Sequence, residues 1–298
     1  MTIDQYTLQD PTTQYGQREG QAPQQQDWPG TTAAMQPLPD HGERTYRGSG
    51  RLTGRRAVVT GGDSGIGRAI AVAFAREGAD VLISYYDEHD DAAETAQLVE
   101  SAGPAAVAVP GDITDENHCR SIIEHAVRDF GGIDILVNNA GFQMAQSEGI
   151  LGISTEQLDR VFKTDVYATF WLCKYAIPHL PPGSSIINSA SIQSFQPSPQ
   201  LLDYACAKGA IVNLTKALAA DVIQRGIRVN AVAPGAIWTP LIPSTMPPNV
   251  VESFGTSAPI GRPGQPAELA PAYVFLASPE SSFMTGEVIA VTGGRPIV

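Results

Sequence analysis

The chain has 298 residues, 43 % of them apolar, and carries a formal net charge of −12. That size and apolar share suit a large α/β domain with a substantial buried core. The acidic balance excludes nucleic-acid backbones and anionic membrane surfaces as natural partners, because both repel a negative surface.

Residues 1–50 are rich in Gln, Pro, Thr and Gly, as in "QAPQQQDWPG", and follow neither a helical nor a strand period. Such a segment cannot build its own core, so it is expected to be disordered or laid over the folded domain as a polar arm. Trp28, Leu38 and Tyr46 are its candidate anchors. From residue 51 to the C-terminus at 298 the pattern becomes one of alternating strands and helices. Short apolar runs at 57–60, 81–85, 105–109, 133–138, 185–189, 228–233 and 287–291 suit buried parallel strands. Helical stretches at 68–77, 92–101, 116–129 and 155–179 separate the earlier ones. This alternation predicts a single α/β domain: a doubly wound parallel sheet of about seven strands with helices on both faces. No apolar run is long enough to cross a bilayer, and the start of the chain lacks the pattern of a secretory leader.

The first strand enters the turn Thr60-Gly61-Gly62-Asp63-Ser64-Gly65-Ile66-Gly67, followed by an Ala-rich helix. Glycines there permit a sharp strand-to-helix turn and let backbone approach a pyrophosphate at the helix N-terminus. Gly61, Gly65 and Gly67 are spaced more widely than the ordinary dinucleotide fingerprint, but their strand–turn–helix setting strengthens the signal. Gly62-Asp63-Ser64-Gly65 also spells the nucleophile loop of trypsin-like proteases. That reading fails, because it needs an all-β chain with paired cysteines.

Further along, Tyr204 and Lys208 stand four residues apart and share a helix face. A free tyrosine is only about 0.1 % ionised at pH 7, and lowering its pKa by about three units takes about 4 kcal/mol. A neighbouring ammonium supplies part of that. Tyr204 would then trade a proton with a carbonyl or alcohol oxygen that Ser191 also holds.

The glycine turn, Asn138-Asn139-Ala140-Gly141, Ser191 thirteen residues before Tyr204-x-x-x-Lys208, and Pro234-Gly235 occur in one order. In that set the chain from about Leu52 onward resembles the short-chain dehydrogenase/reductase family. Residues 35–54 also look like a bacterial subgroup holding aldehyde reductases and glucose- or ribitol-dehydrogenase-like enzymes. The resemblance implies a Rossmann-type fold, a homotetramer built through long helices, and oxidoreduction of a small aldehyde, ketone or sugar with a nicotinamide dinucleotide. Lys208 would also hold the cofactor ribose. Asp165 stands where the family usually has an asparagine completing a proton relay. It joins the catalytic set either as an orderer of the relay water or as a group that impairs the relay, and a buried carboxylate there could be protonated or could pair with Lys208.

Gly61, Asp63, Ser64, Gly65, Ile66 and Gly67 would cradle the cofactor, with Asp112 and Ile113 at the adenine and Asn139, Ala140 and Gly141 at the ribose. Tyr204, Lys208, Pro234, Gly235, Ile237 and Thr239 would reach the nicotinamide end. Tyr85 takes the position at which relatives that prefer NAD carry an acid, so NADP is favoured over NAD, although no Arg or Lys adjoins it and Asp63 and Asp87 lie near. Arg68 is read as a solvated residue at the start of the first helix. Gln143, Ser191, Gln193, Tyr204 and Trp238 would line the substrate pocket under a lid around 238–256.

Cys119, Cys173 and Cys206 form no Cys-x-x-Cys pair and the histidines have no ligand spacing, so no metal is expected. The expectation is a cytoplasmic protein with reduced thiols, Cys206 being a small packing residue. A dinucleotide-binding redox sensor without turnover is the competing function. The intact Ser191, Tyr204 and Lys208 argue against it.

Overall fold

The computed structural model describes residues 3–16 and 20–297. The seven apolar runs become β1 (Arg56–Thr60), β2 (Asp80–Tyr85), β3 (Ala106–Pro110), β4 (Ile135–Asn138), β5 (Ser185–Ser189), β6 (Arg228–Pro234) and β7 (Val288–Val291). They pair in parallel in the order β3-β2-β1-β4-β5-β6-β7. Strand ends agree with expectation to within two residues. Just before β4 the Asp134 carboxylate accepts from the backbone N–H and Nε of Arg56, at 3.0 and 2.7 Å.

The helices are α1 (Gly65–Arg76), α2 (His89–Ser101), α3 (Glu116–Phe130), α4 (Thr155–Phe162), α5 (Ala168–Ala176), α6 (Leu202–Val222), α7 (Leu241–Thr245), α8 (Pro248–Glu252) and α9 (Pro266–Ala277). Alternation along the strands divides the core between two layers. Ala57, Val59, Val81 and Ile83 pack with α1 and α9 on one side. Val58, Leu82 and Leu136 pack with α3, α5 and the end of α6 on the other. Because β1 lies between β2 and β4, the strand order reverses there and a crevice opens beyond the strand ends, where this class of sheet binds ligands.

The stretch expected as one helix over 155–179 is interrupted. Between α4 and α5 the chain makes a π-turn over Lys163–Tyr167, and a 3-10 turn over Ile177–His179 ends the run. Such turns insert a residue and re-aim side chains, and they recur at functional sites. Here the turn buries Thr164 and Asp165.

The polar arm lies on the domain. Gln21 donates its backbone N–H to Glu252, Gln26 donates to Pro243, and the Asp40 N–H reaches Oε1 of Gln265. Met35 is fully buried and Trp28 half-buried, whereas Leu38 is 64 % exposed and anchors nothing. The arm passes over the surface at Leu38, and its grip there comes instead from the Pro37 carbonyl, which accepts from Trp238 Nε1 at 2.8 Å.

Tyr46 fixes the root of the arm. Its hydroxyl donates to Glu77 Oε1 at 2.6 Å, and the same fully buried carboxylate accepts from Ser49 N and from Arg51. Burial pushes the Glu77 carboxyl up, but hydrogen bonds from Arg51 and Tyr46 outweigh it and hold the group at about 2. Its stabilisation is therefore complete above the unfolded carboxyl value and is lost as pH falls toward 2. Glu77→Gln should cost about 3 kcal/mol at pH 7 by urea denaturation. The gap from wild type should shrink as the pH is lowered through 4. A variant as stable as wild type at pH 7 would remove Glu77 from this role.

Candidate active site

The turn after β1 is shaped by close approach. Gly61 has φ +61°, and a Cβ there would sit 3.0 Å from Ala140 Cα. A Cβ on Gly67 would lie 1.8 Å from the Gly61 carbonyl oxygen, so only glycine lets α1 begin against the turn. Ser64, the residue before α1, makes no side-chain cap, and the first turn of α1 carries no acid. The free N–H groups of a bare helix start favour an anion. Asn139 braces the turn, its N–H donating to Thr60 Oγ1 and its amide to the Thr60 carbonyl. A cradle that Cβ atoms would fill, ending on an uncapped helix, fits the pyrophosphate of a dinucleotide.

A cavity runs from this turn along the sheet edge. Gly61, Asp63, Ser64, Gly65, Ile66, Tyr85, Asp112, Ile113, Asn139, Ala140, Gly141 and Thr239 all line it. Gly67 does not, because it packs beneath the turn. At the far end Tyr85 spends its hydroxyl on His89 Nδ1, 3.0 Å away, and Glu88 joins the wall. Burial raises the Asp63 carboxyl to about 7, with Glu88 adding to the push.

Arg68 is corrected by the structure: it is 1 % exposed rather than solvated. Its guanidinium is held by the Asp63 carbonyl, Asp91 and Glu94, all within 3.0 Å. A short acid-rich helix packs across it, which no local sequence pattern announces. The cation that does line the cavity is Arg160, bonded to Asp112 at 2.7 Å and missed from sequence.

A second cavity adjoins the first at Ile66, Asn139, Gly141, Thr239 and Leu241. Gln143, Ser191, Gln193, Tyr204, Lys208, Pro234, Gly235 and Ile237 line it. Ser191 follows β5, and Tyr204 and Lys208 lie one helical turn apart on α6. Lys208 Nζ donates to the Ser189 carbonyl at 3.0 Å and sits 5.4 Å from the Tyr204 ring centre.

Asp165 lines neither cavity. It lies behind Lys208, with Oδ1 2.8 Å from Nζ and Oδ2 accepting the Phe142 N–H at 3.1 Å. The carboxylate therefore forms a buried ion pair with Lys208 and touches the cavity only through it. Burial raises the Tyr204 phenol above its ordinary value. The Lys208 ammonium pulls it back down, the Asp165 charge pushes it up again, and Ser191 lowers it. Burial also raises the Asp165 carboxyl against the pull of Lys208. Burial lowers the Lys208 ammonium, but the charges of Asp165 and Tyr204 overcome that and leave it raised.

Trp238 is the other correction. It is fully buried, donates to Pro37 and packs with Met35 and Ile242, so it supports the second cavity from behind instead of lining it. The expected lid forms α7 and α8, contributing Ile242, Met246, Val250 and Phe254 to the wall. Thr292 and Arg295 from the C-terminal segment join them, with no motif to mark them. Cys119 and Cys173 are buried, and burial raises each thiol to about 12, while Cys206 is exposed. No cluster able to hold a metal ion is found among the described residues.

The chain has extensive likeness to known proteins. A family model described as enoyl-(acyl carrier protein) reductase matches residues 61–295. An oxidoreductase of Bacillus subtilis, YhdF, is 53 % identical over 94 % of this chain and 96 % of its own length. Carrot glucose and ribitol dehydrogenase is 43 % identical over 92 % of this chain and 97 % of its own. The chloroplastic NADPH-dependent aldehyde reductase 1 of Arabidopsis thaliana is 42 % identical over 90 % and 96 % respectively. Among solved structures, a short-chain dehydrogenase of Burkholderia cenocepacia in complex with NADP superposes with a TM-score of 0.77. It is 32 % identical and covers 82 % of this chain and 98 % of its own. With a parallel seven-stranded sheet, an uncapped glycine turn and a Ser–Tyr–Lys cavity beside it, the chain belongs to the short-chain dehydrogenase/reductase family of oxidoreductases.

Proposed function

We propose that the protein interconverts a small aldehyde, ketone or sugar carbonyl and its alcohol, with NADP(H) as hydride partner and Tyr204 as the proton-trading group. The observation that carries this reading is the convergence of Ser191, Tyr204 and Lys208 on one cavity that opens onto the glycine turn. The dinucleotide, when bound, supplies the hydride to the carbonyl carbon or accepts it in reverse. The chain does the rest. Ser191 Oγ hydrogen-bonds the carbonyl oxygen and orients it, and the Tyr204 hydroxyl donates its proton to that oxygen as the alcohol forms. Lys208 stabilises the phenolate left behind. A sensor would have no use for that trio.

The polar wall at Gln143 and Gln193 supports a hydroxylated carbonyl compound, as do the names of the carrot and Arabidopsis relatives. NADP(H) is supported by the missing acid at Tyr85, the NADP bound to the Burkholderia protein and the Arabidopsis enzyme's name. NAD(H) is the second reading, and one observation favours it: Asp63 and Glu88 face the end of the cavity where a 2′-phosphate would add charge. Consumption of NADPH and NADH, followed by absorbance across aldehydes and sugars, decides between them. A wild-type protein that binds dinucleotide but turns over neither would support the sensor instead. Tyr204→Phe should reduce turnover by about 10²–10⁴-fold with dinucleotide affinity unchanged. Near-normal activity would exclude Tyr204 from the chemistry.

Burial keeps the Tyr204 phenol protonated, and the Asp165 carboxylate adds to this by offsetting Lys208, which suits reduction. Oxidation needs phenolate, so a raised phenol pKa confines oxidation to alkaline pH. Asp165→Asn frees the ammonium to act on the phenol alone. The alkaline limb of alcohol oxidation should then shift to lower pH, with faster oxidation at pH 7. An unshifted profile would show that the carboxylate does not act on Tyr204.

We also read the protein as a cytoplasmic homotetramer. Unpaired cysteines support a reducing setting. Leu158, Tyr167 and Phe170 stand 43–56 % exposed along α4 to α5, an apolar face suited to a second copy. Phe170→Asp should lower the mass measured by light scattering after size exclusion. An unchanged tetramer would clear this face of the role.

A further inference from the structure

Trp28 and Pro29 of the arm line the same cavity as the glycine turn, Asp112 and Ile113. Nothing in the composition of residues 1–50 points to a site. Yet the Trp28 ring is held more firmly than a surface tryptophan needs to be. Tyr86 lies 5.2 Å from it in a tilted pair, and Phe142 meets it edge-on at 5.4 Å. The Arg160 guanidinium lies 4.9 Å over its face, while the same guanidinium bonds Asp112 at 2.7 Å. One cation thus joins an arm residue to a wall residue of the folded domain. The strap on either side of Trp28 is also secured. Gln26 N–H reaches the Pro243 carbonyl, Ser244 Oγ donates to the Pro29 carbonyl, and Thr32 N–H reaches Asp91. Gly30 has φ +81°, and a Cβ there would sit 2.9 Å from the Pro240 carbonyl oxygen, so the strap lies flush on the lid.

We propose that Trp28 is a wall of the adenosine subsite, an aromatic surface that the N-terminal arm lays against the adenine-bearing half of the dinucleotide. The inference rests on the dinucleotide reading above. A preordered, half-buried indole beside a pyrophosphate cradle offers a purine the π-surface and apolar area that a base seeks. Arg160 fixes the ring plane and, through Asp112, ties it to the edge that would meet the base.

Calorimetric titration of the full-length protein with ADP-ribose, which has the adenosine but no nicotinamide, tests this. Wild type should bind; Trp28→Ala should bind about ten-fold more weakly; Trp28→Phe should stay within about three-fold of wild type. Trp28→Ala binding ADP-ribose as tightly as wild type would overturn the proposal while leaving the dinucleotide reading intact. Wild type failing to bind ADP-ribose would overturn both. Should Trp28→Ala not fold, hydrogen exchange on the wild-type protein serves instead. Amides at 26–32 should slow with ADP-ribose but not with nicotinamide mononucleotide, and no slowing with ADP-ribose would overturn the proposal.

Discussion

An ammonium group lies buried in the wall of the second cavity, and much of the surrounding structure follows from keeping it there. Removing such a charge from water costs several kcal/mol unless partners replace the lost hydration. Lys208, on α6, receives those partners from two other elements: the Ser189 carbonyl at the end of β5, and Asp165 in the π-turn between α4 and α5. Asp165 in turn spends its second oxygen on the Phe142 N–H, just past β4. A regular helix through 155–179 would carry residue 165 on a different heading. The π-turn presents Asp165 to the buried charge, and the Lys208 bond to the Ser189 carbonyl ties α6 to the end of β5 beside Tyr204.

The sheet makes that point useful. With β1 between β2 and β4, the glycine turn and the Asn139–Gly141 segment emerge side by side, and β5 delivers Ser191 one strand further along. Buried amides reinforce the spacing: Asn138 donates to Asn188 at 2.8 Å, and Asn188 donates to Thr215 on α6 at 2.9 Å. These bonds cross β4, β5 and α6, so the serine and tyrosine are fixed relative to one another before any ligand arrives. The two cavities meet because the strand order reverses at that edge, not because one loop happens to bridge them.

Residues with local causes were legible in the sequence. Strand positions followed from apolar runs, and the turn from glycines whose Cβ atoms would collide with backbone. The Tyr204–Lys208 face followed from helical spacing. Residues whose role comes from distant packing were not legible. Arg68 looked solvated because Asp91 and Glu94 approach it from the next helix, more than twenty positions away. Trp238 looked like a pocket aromatic because it sits in the lid region, yet its N–H finds a carbonyl two hundred residues earlier and turns the ring inward. Leu38 looked like an anchor on hydrophobicity alone, and it points to water because the backbone beside it makes the contact. In each case the deciding partner was remote in sequence.

The arm carries the same lesson to its limit. Ordering the described residues of the arm costs on the order of 1 kcal/mol or more for each backbone unit fixed, and a segment without a core must recover that from contacts scattered over the domain. It does so by landing on parts that already have work to do. Tyr46 shares the buried Glu77 carboxylate with Ser49 and Arg51, Met35 completes the cluster around Trp238 and Ile242, and Pro29 accepts from a lid serine. Each contact is single and none forms a period, so composition alone labels the segment disordered. Order borrowed this way depends on the parts that lend it. The strap at Gln26 to Gly30 and helix α7 are bonded to one another, so the two cavities share a structural boundary as well as a row of residues.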